Sequence, residues 1–248
     1  QVNTYLILSS LLTCLTASFY ATAITAAKIN DSHSKRYVNF LLSVAVWSMS
    51  YFLWRISSNE LQADYFCRLL TAASIFMPIT AYHFSIVLFS RKANRMLRYG
   101  YIGAFLLCLM LPSGLILQGV SPKFNHRYWP DAGPLTWLYL TYFFGYLLMC
   151  AWVFLSEWKQ HLGIHAAGNL FLLFTWIAGC LGGITNFPLW FGIPVQPYGN
   201  VFIGFFLIFL SQALYSNFFT VRFQIYKKFF YIILCMSAAL VYVLFITY

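Results

Sequence analysis

The chain has 248 residues, 61% of them hydrophobic and 21% aromatic, with 8% charged and a net charge of +10. A soluble domain of this length carries roughly 25% charged residues, so a conventional water-soluble enzyme or nucleic-acid-binding domain is excluded. The composition is that of an all-α, polytopic transmembrane bundle, and the basic residues sit in short loops, where membrane topology places them.

Apolar runs near the length needed to cross a bilayer predict eight spans, over 4–27, 37–57, 66–90, 99–118, 135–155, 168–187, 201–219 and 229–248. The first seven form a core and the eighth an additional helix, which divides the chain into 1–222 and 223–248. No charged leader with a short apolar core and cleavage site opens the chain, so no signal peptide is expected; opening on Gln1, the sequence is expected to be trimmed. The loops after spans one, three, five and seven hold Lys28, Lys35, Arg36, Arg91, Lys92, Arg95, Arg98, Lys159, Arg222, Lys227 and Lys228. The other side holds Arg55, Arg68, Lys123 and Arg127, an asymmetry of eleven to four. Positive-inside orientation then puts the N-terminus outside. Cys14, Cys67, Cys108, Cys150, Cys180 and Cys235 all lie in or at the ends of apolar runs and read as small buried hydrophobes, not as a disulfide framework or zinc site.

Along spans two and three, Arg55, Glu60, Asp64 and Arg68 cluster on the outer side. Asp64 and Arg68 are four apart and can pair on a helix surface. Two readings stand: a salt-bridged cluster that holds the hairpin, or a cation that receives a polar ligand head group. His83 lies fifteen residues beyond Arg68, roughly 22 Å deeper at 1.5 Å per residue. An intramembrane histidine is either a functional relay, because it is costly to bury, or a hydrogen-bonded packing residue. The loop "NHRYWPDAGP" (125–134) places Tyr128 and Trp129 in an interfacial belt, and Asp131 is a candidate cap for span five. Span five adds Trp137, Tyr139, Tyr142, Phe143, Phe144 and Tyr146, a density that suits lipid contact, core packing or an apolar ligand. His161 and His165 are four apart, a spacing that fits a metal pair or simply a polar loop. One intramembrane histidine is too few for a haem b pair, and span seven has no lysine for a retinal Schiff base. No cofactor is expected, no nucleophile with its base is visible, and no internal repeat of the kind many transporters carry is found.

The most informative stretch is "LGGITNFPLWFGIPVQPYGNVFIG" (181–204). Pro188, Pro194 and Pro197 fix φ and remove donors, and Gly192 and Gly199 permit turns. The uncharged segment 187–200 is therefore predicted to be ordered, an elbow tucked over the helix ends. Gly179, Gly182 and Gly183 allow another backbone to approach span six closely. Gly182-Gly183-Ile184-Thr185-Asn186-Phe187, then Gly192-Ile193-Pro194, then Pro197-Tyr198-Gly199-Asn200 resemble the seven-transmembrane N-terminal sensor region of bacterial histidine kinases. "MPITAYHFSIVLFSRK" (77–92) is similar to that family's third span and to a stretch in the acyl-homoserine-lactone receptor kinases, and "QALYSNFFTVRF" (212–223) to its cytoplasmic exit. No phosphoacceptor histidine box or ATP-binding domain is in the sequence.

That resemblance implies a sensor domain in the bacterial inner membrane, homodimeric if a kinase sensor. It would detect a small amphipathic, even lactone-like, molecule from the outer side and signal to a cytoplasmic output domain. The expected ligand site lies beneath the elbow and the 125–134 loop, walled by Trp129, Tyr142, Asn186, Phe187, Trp190 and Tyr198, with Arg68 as the charged contact and His83 as a relay. The expected partners are membrane lipid and a small-molecule signal, not nucleic acid. The competing reading is an accessory or structural subunit of a larger membrane complex.

Overall fold

A computed structural model describes the backbone of residues 2–160 and 164–222 and the side chains of 2–160 and 168–215. Seven α-helices occur among the described residues: α1 Val2–Ala26, α2 Ser32–Arg55, α3 Glu60–Leu88, α4 Arg95–Met110, α5 Thr136–Gln160, α6 Ile164–Ile184 and α7 Asn200–Arg222. Six stretches in α1 to α6 are long and apolar enough to cross a membrane, and Asn200–Tyr215 of α7 is a shorter apolar helix. The chain is thus a multi-pass helical membrane protein. The expected eighth span at 229–248 lies outside the described residues.

Each helix is bounded by local chemistry. Asp31, Asn59 and Asn94 precede α2, α3 and α4, and each side chain accepts a backbone N–H three residues on, satisfying donors the first turn leaves unpaired. The Asp31 carboxyl is slightly desolvated, which pushes its pKa up, but the Ser34 amide and hydroxyl and the nearby His33 outweigh that and hold it below the ordinary value. The Asn59 cap also explains why α3 starts six residues before the predicted span.

The fourth span is shorter than predicted. α4 ends at Met110, a 3-10 turn covers Leu111–Ser113, and Gly114 closes it with φ +78°. Pro112 cannot continue the helix, and Gly114 takes a left-handed conformation open to few other residues. The chain then makes a β-hairpin, β1 Leu117–Lys123 and β2 His126–Ala132, paired antiparallel with Val120 opposite Pro130 and Ser121 opposite Trp129. A loop was expected there. Pro122 and Pro130 argue against central strands but are tolerated in a two-stranded ribbon, where both strands are edges. Asp131 does not cap α5; its Oδ1 accepts from Ser121 Oγ at 2.9 Å and pairs with Lys123 Nζ at 2.8 Å.

α3 is the central helix, packed against α2, α4, α5 and the hairpin, while α1 and α6 flank α7. α4 sits at the edge, with Met96, Tyr99, Ile102, Phe105, Leu106 and Leu109 exposed, as suits a lipid-facing helix. At one end of the bundle Arg91 pairs with buried Glu157 at 2.6 Å and the Tyr37 and Ser211 hydroxyls bond at 2.7 Å. At the opposite end lie the start of α1, the α2–α3 turn, the hairpin and the elbow.

The elbow is folded. Pro188–Phe191 form a 3-10 turn capped by Gly192 at φ +73°. Gly199, by contrast, is needed for contact: a Cβ there would lie 2.4 Å from the Gly182 carbonyl oxygen, and one on Gly182 would lie 2.5 Å from Gly199 oxygen. The end of α6 and the start of α7 therefore touch backbone to backbone. Gly179 makes room for the Phe206 side chain, whose Cγ would be 2.7 Å from an added Cβ.

Candidate functional site

The elbow and the hairpin lie side by side over one cavity. Its walls follow from helical spacing. Trp47, Tyr51 and Trp54 on α2, Leu70, Ser74 and Met77 on α3, and Tyr139 and Phe143 on α5 recur at three- and four-residue intervals and so face one way. Trp129 and Pro130 of β2, Gly183, Asn186, Phe187 and Trp190 around the elbow, and Ile203 of α7 complete it. The enclosed free space is about 50 Å³.

Aromatic rings form most of the surface. Trp54 meets Trp129 edge to face with centroids 4.7 Å apart, Tyr51 meets Trp54 at 5.0 Å, and Phe187 meets Phe143 at 5.4 Å. Tyr139 stacks on Trp190 at 6.2 Å, and its hydroxyl and that of Ser74 bond at 2.7 Å. Such pairs favour edge-to-face and offset geometry, which holds the rings in fixed orientations.

Against this apolar surface, several buried polar atoms lack a partner among the described residues: Trp54 Nε1, Trp129 Nε1 and Asn186 Oδ1. Tyr51 Oη faces Asn200 without a hydrogen bond of acceptable geometry. These residues are 3%, 1%, 9% and 1% exposed, respectively, for Trp54, Trp129, Asn186 and Tyr51. Asn186 Nδ2 donates to Gly183 oxygen at 3.1 Å and to Asn200 Oδ1 at 2.6 Å. Because the Gly183 carbonyl can only accept, the amide orientation is fixed and Oδ1 is the unpaired atom. Buried polar groups are nearly always bonded, so unpaired groups on several residues that line one cavity mark it as a candidate ligand site.

The mouth is tied by polar contacts. Lys123 Nζ donates to Trp190 oxygen at 2.9 Å and to Pro130 oxygen at 3.0 Å. His126, 2% exposed, bridges Arg55 and Gln196. Arg55 Nη2 approaches His126 Nδ1 at 3.1 Å, and His126 Nε2 lies 2.9 Å from Gln196 Oε1. A guanidinium only donates, so Nδ1 must accept and Nε2–H donates to Gln196; the ring is the neutral Nε2-protonated tautomer. Burial pushes its pKa down, the Arg55 charge adds to that, and the Gln196 bond offsets part of it. Arg55 also donates from Nε to Asn3 Oδ1 at 2.8 Å and lies 5.4 Å from the Trp129 ring centre. One network thus joins α1, α2, the hairpin and the elbow.

Of the residues nominated from sequence, Trp129, Asn186, Phe187 and Trp190 line the cavity. The others lie elsewhere. Tyr142 sits between α4 and α5, its hydroxyl donating to Gly100 oxygen at 3.1 Å. Tyr198 packs on Tyr5 with centroids 5.7 Å apart. Arg68 donates to Asp64 Oδ2 at 2.7 Å and to the Leu111 carbonyl, closing the end of α4 rather than facing the void. His83 Nδ1 and Tyr101 Oη bond at 2.9 Å, joining α3 to α4. Tyr51, Trp54 and Tyr139 were not nominated; the spacing Trp47, Tyr51, Trp54 was the available signal. Among the described residues, no three His, Cys, Asp or Glu side chains gather to hold a metal ion, and the His161 and His165 side chains lie outside the described set. No family model matches the chain and no curated protein matches it.

Proposed function

We propose that this chain is the membrane-embedded sensor region of a bacterial signalling protein, set in the inner membrane with its N-terminus outside. It detects a small amphipathic or apolar molecule from the outer side and signals to a cytoplasmic output domain, as a homodimer if that output is a kinase. The observation that carries this reading is the aromatic cavity with unpaired buried polar atoms, roofed by the elbow and the hairpin. The elbow's resemblance to the sensor region of histidine kinases supports it, as does the excess of basic residues at the opposite end of the helices.

A route for the signal runs along α7. Asn200, at its start, bonds Asn186 at the cavity, while Tyr215, where the helix departs from helical backbone angles, bonds Ser34 of α2 at 2.7 Å at the far end. A ligand that holds Asn186 differently in two arrangements of α7 biases their populations by the difference in its two binding free energies.

The test joins residues 1–222 in frame to a reporter kinase and measures phosphorylation in membranes exposed to small-molecule culture extracts. An extract should change the output, and Asn186→Ala should blunt the change. A silent reporter, together with stable co-purification of the natural protein with other integral membrane proteins, would favour the accessory-subunit reading.

A further inference from the structure

We propose that the cavity takes a compact, uncharged, ring-sized ligand carrying a hydrogen-bond acceptor and a donor side by side, the acceptor serving the indole N–H groups of Trp54 and Trp129 and the donor serving Asn186 Oδ1. This rests on the reading of the cavity as a ligand pocket and specifies its chemistry.

Among the described residues, no charged side chain lines the cavity. The cations nearest to it are engaged elsewhere: Arg68 with Asp64, Lys123 with Asp131, and Arg55 with Asn3 and His126. An ionised ligand would therefore be buried without a counter-charge, at a cost that few contacts offset. The ligand is neutral.

The unpaired atoms then set its hydrogen-bonding pattern. An indole N–H is a donor only, so Trp54 and Trp129 each require an acceptor. Their rings lie edge to face at 4.7 Å, and in the proposed pose one carbonyl oxygen, with two lone pairs, serves both. The Asn186 oxygen, whose orientation the Gly183 carbonyl fixes, requires a donor. A molecule offering only acceptors leaves Asn186 unsatisfied, and one offering only donors leaves the indoles unsatisfied.

Water can satisfy both patterns, but much of the remaining wall is aromatic and offers it no partner. A flat ring presents an apolar face to Tyr139, Phe143 and Phe187 while its polar edge meets the unpaired groups of Trp54, Trp129 and Asn186. The free space, about 50 Å³, is smaller than such a ring, so its entry requires the elbow and hairpin to shift outward.

The full chain, purified in detergent, is titrated with four molecules of nearly equal size. δ-Valerolactam carries both acceptor and donor, δ-valerolactone and cyclohexanone carry acceptors only, and piperidine is a cation at neutral pH. Binding is read from tryptophan fluorescence and from the thermal midpoint. The lactam should bind about tenfold more tightly than the lactone or the ketone, the value of one buried hydrogen bond, and piperidinium should not bind. Asn186→Leu should abolish the lactam's advantage. Trp54→Phe, which keeps an aromatic ring but deletes the N–H, should weaken lactam and lactone alike and so tests the site if Asn186→Leu does not fold. Equal affinity for all neutral probes, tighter binding of piperidinium, or no binding of the lactam to the folded chain would overturn the proposal; the last outcome means that water alone fills the void. A silent reporter kinase with intact lactam selectivity removes the sensor reading but not the pocket, and a responsive reporter without that selectivity removes only the pocket chemistry.

Discussion

Acid should loosen the hairpin from the end of α2, and His126 should be the reason. The neutral ring accepts from Arg55 at 3.1 Å and donates to Gln196 at 2.9 Å. Protonation turns the acceptor into a donor beside a guanidinium. The imidazolium keeps its Nε2–H bond to Gln196, so what acid removes is the bond from the charged Arg55, worth about 1.5–3 kcal/mol. The sign follows from linkage. The folded-state pKa is lowered below its ordinary value of 6.5, so the unfolded chain binds the proton more readily than the folded one. Stability is complete above about pH 6.5 and declines as pH falls through that value toward the folded-state pKa. The assay is hydrogen exchange of 117–132 and 187–200, with the thermal midpoint, between pH 7.5 and 5. His126→Gln supplies an acceptor for Arg55 and a donor for Gln196 without titrating in that range, so it should flatten the profile. If wild type and His126→Gln lose protection in parallel, the latch is not His126 and the tautomer argument fails.

Gly199→Ala should destabilise the chain by about 1–3 kcal/mol, since its Cβ would lie 2.4 Å from Gly182 oxygen; a thermal midpoint unchanged from wild type would show that the α6–α7 contact can open freely. Arg68→Ala should lower stability by about 1–3 kcal/mol, because Asp64 and the Leu111 carbonyl lose their donor, yet lactam affinity should be unchanged; loss of binding at full stability would restore Arg68 as a ligand contact. Ala93→Cys, in the basic segment before α4, should stay unlabelled by an impermeant thiol reagent in intact cells, and labelling there would reverse the orientation.

Most of the helices were legible because a bilayer-length apolar run has one economical conformation: every backbone group bonded within the segment. The hairpin was not, because its signals conflict. Pro122 and Pro130 speak against strands, and the pairing of Lys123 with Asp131 appears only once the strands are registered. At the site, the elbow residues Asn186, Phe187 and Trp190 were legible because proline and glycine pin that segment to the helix ends. The choice of Tyr142 over Tyr139 was undecidable from sequence. Both are tyrosines on a helix that is aromatic on several sides, and only packing reveals that Tyr139 turns inward to Ser74 while Tyr142 turns to α4. For Arg68 the sequence offered both the pair with Asp64, which forms, and a ligand contact; the carbonyl that also meets it comes from a helix end that Pro112 and Gly114 bring there.

The backbone contact between Gly182 and Gly199 restricts the motions open to α7. Two chains touching with no side chain between them cannot slide past one another without collision, but they can tilt about the point of contact. The contact therefore serves as a fulcrum with unequal arms. The cavity lies close to it, whereas Tyr215 is fifteen residues beyond Asn200, about 22 Å along the helix. A tilt of about 5° moves the Tyr215 end by about 2 Å, the scale of helix shifts that switch other proteins. It also breaks or strains the hydroxyl contacts of Tyr215 with Ser34 and of Ser211 with Tyr37. In the proposed sensor, a sub-ångström adjustment at Asn186 would thereby be geared up before it reaches the Tyr215 end of α7, and two glycines would set the ratio.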